Sequence, residues 1–83
     1  LTVEGANPTR GATTIGYALP APAHVQIEVY DALGRRVALL ADRDAAARTG
    51  RVVWDAGRVT PGVYFVRMTS EAATLVRTVV VAR

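Results

Sequence analysis

The chain has 83 residues, 51 % hydrophobic and 20 % charged, a balance that supports a folded single domain with a thin core rather than a disordered segment. It contains no cysteine, which excludes disulfides and thiolate metal sites, and no apolar run near the roughly 20 residues that a membrane-spanning helix needs. The net charge of +3 comes entirely from arginine, with no lysine present. Only Arg35 and Arg36 are adjacent, so the scatter predicts a solvated basic surface and no nucleic-acid partner.

Period-two alternation dominates the chain, broken by frequent turn signals. Thr13, Ile15, Tyr17 and Leu19 share one face of a strand that Pro20 and Pro22 terminate. Val25, Ile27 and Val29 line one face of the next strand, with Gln26, Glu28 and Tyr30 opposite, the pattern of an antiparallel strand packed on one side. Asp31-Ala32-Leu33-Gly34 predicts a tight turn, since aspartate favours turn starts and glycine takes positive φ without steric cost. Val37 to Leu40 is the returning strand. Residues 41–50 are polar and alanine-rich, too short for a stable helix, and are expected to form a loop.

A further strand covers Arg51 to Trp54, and Asp55 to Arg58 is a bend. Thr60-Pro61-Gly62-Val63 predicts a type II turn, with proline pre-setting φ at the second position and glycine supplying positive φ at the third. In the strand that follows, Val63, Phe65 and Arg67 oppose Tyr64, Val66 and Met68 across the pleat. Glu71-Ala72-Ala73 makes the last turn, and Thr74 to Ala82 is the final strand. These elements predict an all-β fold, an immunoglobulin-like antiparallel β-sandwich of about seven short strands, as one domain over residues 1–83.

Candidate chemistry is sparse. Asp31 and Asp55 each follow an aromatic residue; a carboxylate pair or calcium site competes with the simpler reading, side chains accepting backbone N–H groups in turns. Asp42 and Asp44 lack the glycine and distal glutamate of an EF-hand loop. His24 is the only histidine and Ser70 the only serine. They lie far apart in sequence, so no nucleophile and base are paired. No glycine-rich phosphate loop precedes a helix. The expectation is no enzyme, no cofactor and no metal. Trp54 is assigned to the core, with stacking on a sugar ring as the alternative that would make the domain a carbohydrate-binding or adhesion module.

At the end of the chain, Arg77, Val79, Val81 and Arg83 share one pleat face, with Val76, Val80 and Ala82 on the other. Such a strand can close the sandwich, pair with a receptor strand, or do both, its main chain giving affinity and its side chains specificity. Arg77 and Arg83 would add charge-assisted contacts to an acidic groove.

Several blocks form an ordered set. They are Asn7-Pro8, Thr13-Thr14-Ile15-Gly16-Tyr17-Ala18-Leu19-Pro20, Val29-Tyr30-Asp31-Ala32-Leu33-Gly34-Arg35, Val53-Trp54-Asp55, Pro61-Gly62-Val63-Tyr64-Phe65-Val66-Arg67 and the basic, valine-rich terminus. Together they resemble the type A C-terminal sorting domain of proteins exported by the bacterial type IX secretion system, and the related immunoglobulin-like domain of flagellar hook-capping proteins. Thr9 stands where an aromatic residue often follows Asn-Pro, and arginine stands where lysine is common near the end.

The resemblance implies a non-catalytic export tag, the tail of a larger protein that carries its own signal peptide. It implies as partners the outer-membrane secretion machinery, a cysteine-type sortase that removes the tag, and anionic lipopolysaccharide to which cargo is attached. The destination is the outer cell surface or the medium, reached through the periplasm. The expected recognition residues are Gly62, Tyr64, Arg67, Arg77, Val79, Val81 and Arg83. A structural immunoglobulin-like spacer is the remaining alternative.

Overall fold

The computed structural model describes residues 1–4, 9–46, 48–71 and 73–82. Asn7-Pro8, Arg83 and the Ala72 position of the last predicted turn lie outside them. Among the described residues, seven strands alternate with short connections: β1 (Thr2–Glu4), β2 (Ala12–Ala18), β3 (Ala23–Asp31), β4 (Arg36–Ala45), β5 (Thr49–Asp55), β6 (Gly62–Thr69) and β7 (Thr74–Val81). They form two antiparallel sheets, one ordered β1-β2-β5 and the other β4-β3-β6-β7. The all-β sandwich expected from the alternation is the observed architecture. No helix of the described residues is long and apolar enough to cross a membrane.

The core lies between the sheets and takes alternate residues from nearly every strand. Thr13, Ile15, Tyr17 and Leu19 are all buried, as are Val25, Ile27 and Val29. In β6 the buried face is Tyr64, Val66 and Met68, and in β7 it is Val79 and Val81. Burying each valine or isoleucine fully contributes about 1.5–3 kcal/mol relative to exposure. Trp54 of β5 and Tyr64 of β6 join the sheets edge to face, their ring centroids 5.3 Å apart at 61°.

The β3–β4 hairpin closes as predicted. The Gly34 amide donates to the Asp31 carbonyl at 3.0 Å and the Asp31 amide donates to the Arg35 carbonyl at 2.9 Å. Gly34 has φ +84°, the left-handed conformation that a side chain disfavours. Asp31 Oδ1 accepts from the Leu33 and Arg35 amides, and Asp55 Oδ1 accepts from the Gly57 amide. Both aspartates therefore serve their turns, the second by capping a 3-10 turn, Ala56–Arg58.

Two local expectations are corrected. The loop predicted over residues 41–50 is mostly strand, because β4 runs to Ala45 and β5 begins at Thr49. The polar segment is recruited by pairing with β3, where Asp42 faces Gln26 and Asp44 faces His24. Main-chain hydrogen bonds to a distant strand outweigh weak local propensity there. Nor does Thr60–Val63 take the φ of a type II turn. Gly62 has φ +156°, far from the +80° that turn requires, and pairs with Val81 as the first residue of β6. The Thr60 carbonyl accepts from the Tyr64 hydroxyl at 2.6 Å.

Ile27 is fully buried whereas Val53, on β5, is 62 % exposed. Ile27→Ala is expected to lower unfolding free energy by about 2–5 kcal/mol in urea titrations, and Val53→Ala by under about 0.5 kcal/mol.

Candidate functional site

The β6–β7 hairpin carries six of the seven expected recognition residues within the described chain. Gly62 and Val81 pair at one end of the ladder, Tyr64 opposes Val79, and Arg67 and Arg77 follow along it. The structure does not bring their side chains to one surface. Tyr64, Val79 and Val81 point into the core, Arg67 lies half-buried on the outer face of the sheet, and Arg77 is exposed. Arg83 is outside the described residues. Trp54 is 3 % exposed and packed on Tyr64, so it offers no free ring face to a sugar.

Arg67 belongs to a polar cluster that alternation did not anticipate. Glu28 stands on the outward face of β3, yet it is only 4 % exposed. It sits directly opposite Arg67 in the β3–β6 ladder. Glu28 Oε1 accepts from Arg67 Nη2 at 3.1 Å, and Oε2 accepts from the Tyr30 hydroxyl at 2.9 Å and from Arg36 Nη1 at 3.3 Å. The same Arg67 nitrogen donates to the Tyr30 hydroxyl at 2.6 Å, and the guanidinium carbon lies 4.7 Å from the Tyr30 ring centroid.

Burial opposes ionisation of Glu28, but hydrogen bonds from Tyr30, Arg67 and Arg36 together outweigh it and hold the carboxyl below its ordinary value. Burial and the neighbouring Glu28 charge push the Tyr30 phenol upward. A sequence clue existed: Glu28, Tyr30, Arg36 and Arg67 occur on strands that pair, but which strands pair was not known in advance.

A second cluster lies on the β3–β4 ladder. His24 Nδ1 is 2.9 Å from Asp44 Oδ1 and Nε2 is 2.5 Å from Asp42 Oδ1. A neutral imidazole has one donor and one acceptor nitrogen, so carboxylates at both nitrogens select the imidazolium. Hydrogen bonds to Asp44 and Asp42 accordingly raise the His24 pKa. No group of metal-ligating geometry occurs among the described residues.

Two of the sequence blocks meet at one end of the sandwich. The Asp31–Gly34 turn and the Thr60–Tyr64 corner frame a shallow cavity of about 390 Å³, rimmed by Leu33, Val37, Pro61 and Val63. Asp31 is held ionised first by the Arg35 amide and then by the Arg35 guanidinium. The Tyr64 hydroxyl fixes Thr60, so both flanking loops are tied down.

Residue Thr9, buried against the same sheet, forms a parallel bridge with Val81. Its amide donates to the Val80 carbonyl at 2.9 Å, and the Ala82 amide donates to the Thr9 carbonyl at 2.8 Å. The residue following Asn7-Pro8 is thus tied to the end of β7. A family model described as the secretion system C-terminal sorting domain matches residues 7–82, from that tie to the end of the last strand. The chain belongs to this family. The domain is a C-terminal sorting signal for the type IX secretion system. That membership implies interaction with the type IX machinery, export to the cell surface or medium, and a role other than catalysis. No curated protein matches the sorting domain, and no solved structure does.

Two pH responses follow for the sorting domain. Because the folded pKa of His24 is raised, its stabilisation of the β3–β4 ladder is fully present below the ordinary 6.5 and lost as pH rises through the folded value. The imidazole is expected by NMR to titrate above pH 6.5, and Asp44→Asn to move it down. For Glu28 the sign is opposite: its folded pKa is depressed, so its contribution holds above the ordinary 4.5 and disappears as pH falls through the folded value. Denaturant melts are expected to lose stability across that acid window, and the slope to flatten in Glu28→Gln.

Proposed function

We propose that residues 1–83 are the export tag of a larger secreted cargo, engaged by the outer-membrane machinery after transit through the periplasm. The tag is then cut away by the sortase, and the cargo is released or joined to anionic lipopolysaccharide at the outer surface. The observation that carries this reading is the family match over residues 7–82, a range that takes in strands β2 to β7.

The expected recognition residues divide by role in this reading. Val79 and Val81, at 0 % and 2 % exposed, seat β7 in the core, and Tyr64 secures the start of β6 through Thr60. Gly62 allows the φ of +156° with which that strand begins. Arg67 is oriented by Glu28 and Tyr30. Arg77 and Arg83 supply charge for receptor contact. The buried residues thus serve recognition by holding the hairpin in shape, and the exposed Arg77 by touching the partner.

The sugar-binding alternative loses its motivating residue, since Trp54 is a core side chain. This reading gives the domain no catalytic role, and it assigns Asp31 and Asp55 to turns and His24 and Glu28 to cross-strand contacts.

Fusing the chain to a periplasm-directed fluorescent protein in a type IX-competent bacterium tests the proposal. Fluorescence is expected outside the outer membrane and is expected to vanish in a secretion-deficient strain. A folded fusion that stays in the periplasm of the competent strain would sink the reading.

A further inference from the structure

The four-stranded sheet has two edges, β4 and β7. They differ as templates for another strand. The β3–β4 ladder contains two register shifts, between Ile27 and Glu28 and between Val29 and Tyr30, and the edge carries Asp42, Arg43 and Asp44 in succession. Bulges and charges of this kind blunt an edge. The β6–β7 ladder runs without a shift from Thr74 to Val81, and β7 contains no carboxylate.

Thr9 reveals which main-chain groups of β7 face outward. Its two bonds use the Val80 carbonyl and the Ala82 amide, so these point away from β6. Main-chain groups alternate sides along a regular strand. The amides and carbonyls of Val76 and Thr78 therefore point to the same outer edge, below the residue that Thr9 covers. Arg77 supports this assignment independently: its Nη1 donates to the Val76 carbonyl at 2.8 Å. The side chain is exposed, and no carboxylate pairs with it among the described residues.

We propose that the β7 edge over Thr74–Thr78 receives an extended strand of the secretion machinery, and that Arg77 is its gate. In the free domain the Arg77 guanidinium covers the Val76 carbonyl, which keeps the edge from pairing indiscriminately. The partner strand carries a carboxylate beside that position. It draws the guanidinium into a charge-assisted pair, and the exposed carbonyl then accepts the partner's amide. Charge complementarity selects this occupant, because the domain carries a net charge of +3 and Arg77 is a cation on a strand without an acid. The contact is made by the main chain of Val76 and Thr78, while Val79 and Val81 remain in the core.

This inference rests on the sorting reading, and the same fluorescent fusion separates the two. Val76→Pro removes an outward amide without taking a hydrogen bond from β6, a substitution that an edge position accepts. Arg77→Glu reverses the gate's charge. Arg43→Glu, on exposed β4, makes the same change in net charge and serves as control. Each fusion is checked for folding by circular dichroism.

Export of the intact fusion with about a tenfold drop in Val76→Pro and Arg77→Glu, and none in Arg43→Glu, is expected; the drop is what losing one or two main-chain hydrogen bonds does to an equilibrium. Should Val76→Pro misfold, the Arg77→Glu and Arg43→Glu pair decides. Undiminished export of folded Arg77→Glu overturns the gate. If the intact fusion is not exported at all, the sorting reading itself fails and takes this proposal with it. A concentration-dependent dimer that Val76→Pro abolishes while export continues would assign the edge to a second copy of the chain and overturn the proposal.

Discussion

The fold depends on β6 being held from both sides. On its inner face Tyr64 packs against Trp54, and Val66 and Met68 are buried beside Ile15 and Ile27. On its outer face Arg67 is fastened to Glu28 and Tyr30 of the neighbouring strand. The strand lies between β3 and β7, so its position sets both of theirs. With β7 fixed by β6, the terminal strand presents an edge of defined alternation.

The buried Glu28 cluster sets register as well as adding interactions. Its partner Arg67 stands directly across the ladder, so a one-residue slip of β6 would carry the guanidinium to the opposite face and leave the carboxylate unpaired. It would also turn Tyr64, Val66 and Met68 out of the core. Burying charge is costly, and such clusters often add little net stability relative to apolar packing. The Glu28 carboxylate itself accepts from three donors, which limits that cost, while Arg67 Nε is buried without a partner. Its contribution to a single register is the more informative property of the cluster for a domain whose surface must be read by a partner.

The sandwich treats the two edges of its four-stranded sheet unequally. Irregular pairing and dense charge protect β4, while β7 is regular and protected at one end by Thr9. The guanidinium of Arg77 covers one carbonyl of what is left. A side chain can be displaced at small cost, unlike a bulge built into the ladder. In the proposal above, that difference is what lets one edge resist indiscriminate pairing and still admit a partner strand.

The sequence by itself determined the strand class, the turns at Asp31 and Asp55, and the buried faces of β2 and β3, because these follow from local period and from side chains that bond their own backbone. The ordered blocks also carried the family. Other features required the tertiary structure. In β6, Val63, Phe65 and Arg67 on one face opposed Tyr64, Val66 and Met68 on the other, and with large apolar side chains on both faces it was packing against Trp54 that settled the second face inward. Residues 41–45 looked like loop because their polarity and alanine content are poor local strand signals, and only pairing with β3 made them strand. The Thr60 carbonyl went to the Tyr64 hydroxyl, and Gly62 entered the ladder in place of the expected type II turn. His24 met its aspartates from 18 and 20 residues away, a distance across which sequence period carries no information and strand pairing carries all of it.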